Sequence, residues 1–83
     1  MSYLVYVLYS PSYKRYYKGH CENIKERIKE HNSGETKSTK AFITWKLVYK
    51  EEFITREDAI ARERYFKAAA GRLLLKKKIT LEQ

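Results

Sequence analysis

Every position from Tyr3 to Tyr9 carries an apolar or aromatic side chain. In a strand, alternate residues point to opposite faces, so a run with both alternating sets apolar must be covered on both faces. Its β-branched and aromatic content favours a strand over a helix. The rest of the chain therefore has to supply cover for two sides of one sheet.

The next segments have the right character. Ser10-Pro11-Ser12 breaks the first strand, and Tyr16 to Gly19 reads as the returning strand of a hairpin whose loop holds Tyr13, Lys14 and Arg15. Asn23, with Glu26 three residues on, marks a helix start, and Asn32-Ser33-Gly34 ends that helix just after His31. Glu35 to Lys40 is polar and reads as loop. Ile43 to Phe53 holds Trp45, Leu47, Val48 and Tyr49 and reads as a third strand. Thr55, followed by Asp58, caps a second helix over Arg56–Ala68. Gly71 interrupts it, and Arg72 to Ile79 gives a short basic third helix. The order β-β-α-β-α-α predicts an α+β domain with a three-stranded, mainly antiparallel sheet flanked by helices. Residues 1–83 read as one domain with a core over about 3–78, with no repeat, no linker, and a tail at Leu81-Glu82-Gln83 expected to fray.

Charge narrows the choice of partner. The 18 Lys and Arg residues outnumber the 10 Asp and Glu residues, for a net +8. An excess of that size in a small domain points to nucleic acid first and an anionic membrane surface second. Eight tyrosines and one tryptophan suit either a dense core or a surface on which bases stack. Cys21 is the only cysteine, which excludes an intrachain disulfide and a Cys-based zinc site and fits a reduced, cytoplasmic setting. The start MSYLVYVLYS has no basic leader and is too short to span a membrane, so no membrane association is expected.

Several polar residues fall where apolar ones belong. At about 100° per residue, Ala59, Ile60, Phe66 and Ala70 form one stripe of the second helix, with Glu63 in its middle and Arg62 and Arg64 to either side. A carboxylate there needs a cation: either a core Arg or Lys, or a metal ion. On the first helix Ile24 and Ile28 face inward, His31 lies beside them, and Arg27 sits at the stripe's edge, four residues before His31. A guanidinium fork and an imidazole on one patch suit a phosphate, though each alone is commonly structural. Tyr6 and Tyr17 lie on neighbouring strands, where cross-strand packing is their ordinary role.

Taken in order, these features resemble the GIY-YIG nuclease domain in its short standalone form, similar to the N-terminal catalytic domain of the excision-repair nucleases. Leu4-Val5-Tyr6 matches the first signature triplet and Tyr17-Lys18-Gly19 the second; Arg27 and His31 match the following helix, and Ala61-Arg62-Glu63 the later one. Glu30 to Gly34, Lys46 to Tyr49 and Thr55 to Ala59 also read like the standalone branch. Leu4 and Lys18 depart from the signature glycine and isoleucine. The asparagine that larger members carry after the metal-binding helix has no match.

The resemblance implies a metal-dependent endonuclease that hydrolyses nucleic-acid phosphodiesters, DNA ahead of RNA, with little sequence preference and one Mg²⁺ or Mn²⁺ ion. Glu63 would hold the metal and Arg27 would clamp the phosphate. Tyr6 would serve as base or orient the water, with Tyr17 and His31 on the proton path. Lys18, Lys37, Lys40, Lys76 and Lys77, with Lys78, would contact the backbone. His20 is expected to be an ordinary surface histidine. Tyr6, Tyr17, Arg27, His31 and Glu63 are expected to line one concave surface, because base, clamp and ligand must reach one phosphate. The alternatives are a non-cutting nucleic-acid-binding module on this scaffold and a small protein-interaction domain.

Overall fold

A double-sided strand at the middle of a sheet is what the Tyr3–Tyr9 run requires, and the chain folds that way. The computed structural model describes residues 2–82. Its elements are β1 (Tyr3–Ser10), β2 (Arg15–Cys21), α1 (Ile24–Ser33), a 3-10 turn (Lys40–Phe42), β3 (Lys46–Phe53), α2 (Arg56–Lys67) and α3 (Ala69–Glu82). The order is the expected one, and the strands form one antiparallel sheet, β2-β1-β3, with β1 in the centre. Gln83, the end of the tail expected to fray, lies outside the described residues.

The two alternating sets of β1 enter two separate clusters. Val5 and Val7 pack with Tyr49, Ala59, Phe66, Leu75 and Ile79, so α2 and α3 cover that face. Tyr6 and Leu8 pack with Trp45, Ile24 and Ile28, so α1 and the segment before β3 cover the other. Val5, Tyr6, Val7 and Leu8 are all fully buried. Each such side chain contributes on the order of 1.5–3 kcal/mol, which makes β1 the main stabilising element.

The caps read from sequence are in place. The Asn23 side chain accepts from the Glu26 amide and the Thr55 hydroxyl from the Asp58 amide. Gly34 ends α1 at φ 84°, a left-handed conformation that only glycine adopts cheaply, and its amide reaches the Glu30 carbonyl.

Three boundaries differ from expectation. The second strand runs over Arg15–Cys21, longer than Tyr16–Gly19, because pairing with β1 continues to Leu4↔Cys21 and Ser10↔Arg15. The third strand begins at Lys46, not Ile43; the Asn32 side chain bonds both the Trp45 amide and the Trp45 carbonyl, turning that stretch onto α1 before pairing with β1 starts. The break between the last two helices is at Ala68, whose extended backbone (ψ 160°) leaves the helical region, not at Gly71. Ala70 therefore leaves the α2 stripe and is exposed at the start of α3. Gly71 serves close packing instead: a Cβ there would lie 1.7 Å from the Tyr65 carbonyl oxygen. Gly71→Ala should force the two helices apart and cost at least ~1–3 kcal/mol, the usual range for overpacking. Urea unfolding of that variant should show the loss; an unchanged midpoint would mean that the helices do not meet there.

Candidate active site

Tyr6 and Gly19 are paired across the β1–β2 ladder, and the Tyr6 ring lies over the bare glycine backbone. A Cβ at Gly19 would sit 2.6 Å from the Tyr6 hydroxyl. The missing side chain is what lets the phenol lie flat and extend toward α1. This gives the Tyr-x-Gly triplet a steric meaning.

From that hydroxyl a chain of side-chain hydrogen bonds crosses the α1 face. Arg27 Nε–H donates to the Tyr6 oxygen at 3.2 Å, and Tyr6 and His31 Nε2 are 2.9 Å apart. His31 Nδ1 is 2.8 Å from the Thr39 hydroxyl, which donates its own proton to the Thr36 carbonyl. The directions follow from one another. Thr39 has given its proton away, so it accepts from His31 Nδ1–H; a neutral imidazole then offers a bare Nε2, and Tyr6 donates to it. Burial, aided by the nearby Arg27 charge, lowers the His31 pKa below 6.5, which keeps the ring neutral. Burial also raises the Tyr6 pKa well above the usual phenol value despite the opposing effect of Arg27, so Tyr6 holds its proton at neutral pH.

Tyr6 and His31 are completely buried. Arg27 is the group's outlet: its side chain is 35% exposed, and its Nη1 binds Glu30 at 2.9 Å. The hydrogen bond donated to Glu30 leads, and that to Tyr6 follows, in raising the guanidinium's pKa still further. Tyr17 joins through its ring, 4.8 Å from the His31 centroid and 6.3 Å from that of Tyr6. Four of the five expected site residues thus form one group.

Glu63 comes from the other side. It lies on α2, on the Val5/Val7 face, and its carboxylate is 2.6 Å from His20 Nδ1 and 2.8 Å from Lys67 Nζ. His20 follows Gly19 directly, so strand alternation turns it away from Tyr6. The five residues expected on one concave surface are thus divided: Tyr6, Tyr17, Arg27 and His31 lie on one face of β2 and Glu63 on the other, because α2 covers the Val5/Val7 side, and β2 is the outer strand of the described sheet. With a side chain only 16% exposed, Glu63 sits on the inward stripe as the helical spacing indicated. Burial pushes its pKa up, but the bonds from Lys67 and His20 outweigh that and hold it below 4.5, so the carboxylate is ionised. One ionised carboxylate with a half-exposed lysine as partner suits Mg²⁺ or Mn²⁺, ions that use one or two carboxylates and take remaining ligands from water and substrate phosphate. Among the described residues no group of three His, Cys, Asp or Glu converges as a metal cage.

His20 is thus a bonded partner of Glu63 rather than an ordinary surface histidine. Sequence reasoning misses Thr39, since a threonine in a polar loop carries no periodic signal. Lys18 lies on the Glu63 side of β2, where burial and then the charges of Arg72 and Lys67 lower its pKa. Lys37 and Lys40 are exposed in the loop around Thr39, and Lys76 and Lys77 are exposed on α3. No described helix is long and apolar enough to cross a membrane.

A family model described as the GIY-YIG catalytic domain matches residues 2–78. The chain belongs to the GIY-YIG family, a nuclease-type family whose members bind nucleic acid and generally depend on a divalent metal. A UPF0213 protein of Bacillus licheniformis is 44% identical over 52 residues, a stretch covering 61% of this chain and 54% of that protein, so the match spans about half the relative's length. The solution NMR structure of a UPF0213 protein from Bacillus halodurans is similar at 28% identity, with a TM-score of 0.56 over 93% of this chain and 84% of the other.

The neutral, buried His31 makes stability depend on pH. Its folded pKa lies below the unfolded value of 6.5, so its contribution is complete above that pH and declines as the pH falls from there toward the lowered folded value. Unfolding free energy should drop between pH 7 and pH 5.5, a range above the titration of Glu63. His31→Gln should lower stability at pH 7 and flatten this slope. A slope unchanged in that variant would place the titrating group elsewhere.

Proposed function

We propose that the protein is a metal-dependent endonuclease that hydrolyses phosphodiester bonds at the outer edge of β2, with little sequence preference and with DNA the first substrate class. The observation that carries this reading is the Arg27–Tyr6–His31–Thr39 chain. Burying a phenol, an imidazole and a hydroxyl together gives a small domain no more stability than apolar residues of the same volume. The arrangement does, however, link a surface cation to a neutral internal base.

In this reading the phosphate docks on Arg27, whose fork matches two non-bridging oxygens. Docking draws the guanidinium away from Glu30 and uncovers the buried Tyr6 hydroxyl. Tyr6 accepts a proton from the attacking water while its own proton passes to His31 Nε2. Thr39 holds the imidazole in the tautomer that can receive it. The Arg27 charge stabilises phenolate character as this happens. Tyr17 packs against the imidazole and fixes its plane. Glu63, released by Lys67, would hold the divalent ion, which supplies charge neutralisation at the phosphate and the leaving oxygen. Lys18, Lys67 and Arg72 make that side electropositive, and Lys37, Lys40, Lys76 and Lys77 extend the backbone contacts. Reading base edges would need an element able to enter a groove, and these residues offer only phosphate contacts.

The geometry of Glu63 favours a second reading. With His20 and Lys67 both bonded to it, the carboxylate is already neutralised, as it would be in a module that binds nucleic acid without cutting.

The two readings separate on cleavage assays with duplex, single-stranded and branched substrates, with and without Mn²⁺. Glu63→Gln should abolish cleavage and leave affinity nearly unchanged. Arg27→Ala should slow cleavage about 10²–10³-fold, the range for removing one oxyanion donor, with a much smaller effect on binding. Affinity should fall steeply with salt, at a log–log slope of about 0.9 per phosphate neutralised on duplex DNA. Binding with no metal-stimulated cleavage of any form would establish the non-catalytic reading.

A further inference from the structure

At the hairpin end of the sheet, beside the buried polar chain, lies an open cleft of about 320 Å³. It is lined by Tyr17, Phe42 and Trp45, all on the Tyr6/Leu8 face of the sheet, together with Arg15, Ser38, Thr39 and the strand at Tyr16, whose ring turns to the opposite face beside Tyr9. We propose that this cleft receives an unpaired nucleobase, so that the protein acts on nucleic acid with a single-stranded segment next to the bond that is cut. The inference rests on the nucleic-acid reading above and specifies its substrate.

Three observations converge. The first is ring exposure. Phe42 and Tyr17 are only partly buried, and Tyr13, 53% exposed, meets the edge of Phe42 at 5.3 Å. Clustered exposed aromatics give flat faces on which any base can stack, and stacking is tolerant of sequence.

The second is charge. Residues 9–17 and 36–47, which build the cleft and its surroundings, contain Lys14, Arg15, Lys37, Lys40 and Lys46 and no acidic residue. The Arg15 guanidinium already lies 4.3 Å over the Phe42 ring. A planar cation on a ring is a surface that stacks a base and attracts its phosphate at once. An apolar peptide would gain nothing from this concentration of cations, and a blunt duplex keeps its base faces stacked inside the helix.

The third is continuity. Tyr17 and Thr39 line the cleft and also touch His31. A base held between the rings would place its own backbone beside the polar chain that leads to Arg27. Single-strand character would then be sensed at the reacting phosphate rather than at a remote site.

The test is binding by the full chain in EDTA, where cleavage cannot interfere. Fluorescence anisotropy would be read for labelled oligo-dT, oligo-U and a blunt DNA duplex. The wild-type protein should bind the single strands more tightly than the duplex. Phe42→Ala should weaken single-strand binding roughly 5- to 100-fold, the effect of losing one stacked base, and change duplex binding little. Phe42→Tyr should keep nearly full affinity, because the ring face makes the contact, and Tyr16→Ala, on the opposite face of the sheet, should change single-strand binding far less than Phe42→Ala. Comparable losses for oligo-dT and oligo-U would assign recognition to the base face, and a loss confined to one would add a contact to that sugar. Single-strand affinity unchanged in Phe42→Ala, or a wild-type preference for the duplex, would overturn the inference while leaving the nuclease reading in place. No binding of any form at low salt would overturn both.

Discussion

Tyr6 and Gly19 stand opposite each other in the β1–β2 ladder, and the whole α1 face is arranged about that crossing. The ring occupies the space that a side chain at position 19 would need. Its body packs with Leu8 and Trp45 in the core, and its hydroxyl emerges where Arg27 and His31 can both reach it. Packing and polar chemistry are therefore not independent here. Anything that lifts the ring also deprives His31 Nε2 of its donor, and an unsatisfied buried nitrogen costs about 1–3 kcal/mol. Thr39 depends on the same ring indirectly, since its hydroxyl is useful only to an imidazole held in one tautomer. Trp45 donates to the Thr39 carbonyl, and Asn32 pins the Trp45 backbone, so the loop that carries Thr39 is itself fixed against α1.

The sheet divides the charged machinery into two sets. The guanidinium, phenol and imidazole occupy the α1 face; the carboxylate, with His20 and Lys67, occupies the α2 face. One strand lies between them. Because that strand is the outermost of the described sheet, its free edge is the place at which a phosphate could be approached from both sides. Gly19 and His20 are consecutive residues of that strand, one under Tyr6 and the other bonded to Glu63. The two sets are built independently: Arg27 and His31, four apart on α1, both reach the Tyr6 hydroxyl, and Glu63 and Lys67, four apart on α2, bond each other.

Sequence alone carried a large part of this, for identifiable reasons. The two-faced strand, both N-caps and the Gly34 stop depend on local patterns and are found where those patterns put them. Glu63 could be singled out because a carboxylate on an apolar stripe breaks a periodic rule. His31 could be singled out for a similar reason. What escaped depends on tertiary distance. Thr39 has no pattern of its own and matters only because the loop folds back eight residues after His31. His20 looks like a surface residue until α2 brings Glu63 to it. The approach of Glu63 from the far face also could not be read, since helical periodicity reports which side of a helix faces the sheet but not which side of the sheet the helix covers. Gly71 invited the reading of a breaker, whereas its role is to let α2 and α3 backbones meet; only the position of Tyr65 reveals this.

The unequal chemistry of the two core halves explains how so short a chain tolerates a polar site. On one side Val5, Val7, Phe66, Leu75 and Ile79 form a conventional apolar cluster with α2 and α3. On the other, completely buried positions are given to a tyrosine hydroxyl, a histidine and a threonine. Apolar residues of matching volume in those places would be as stable or more so, because a satisfied buried hydrogen bond adds only about 0.5–1.5 kcal/mol net. The second half is thus held at less than the stability it could have. The apolar half offsets that deficit, and β1 couples the two, since its four central residues alternate between them. A domain of this size can carry such a fully buried polar chain because the fully buried residues of the opposite face, Val5, Val7, Ala59 and Phe66, are apolar.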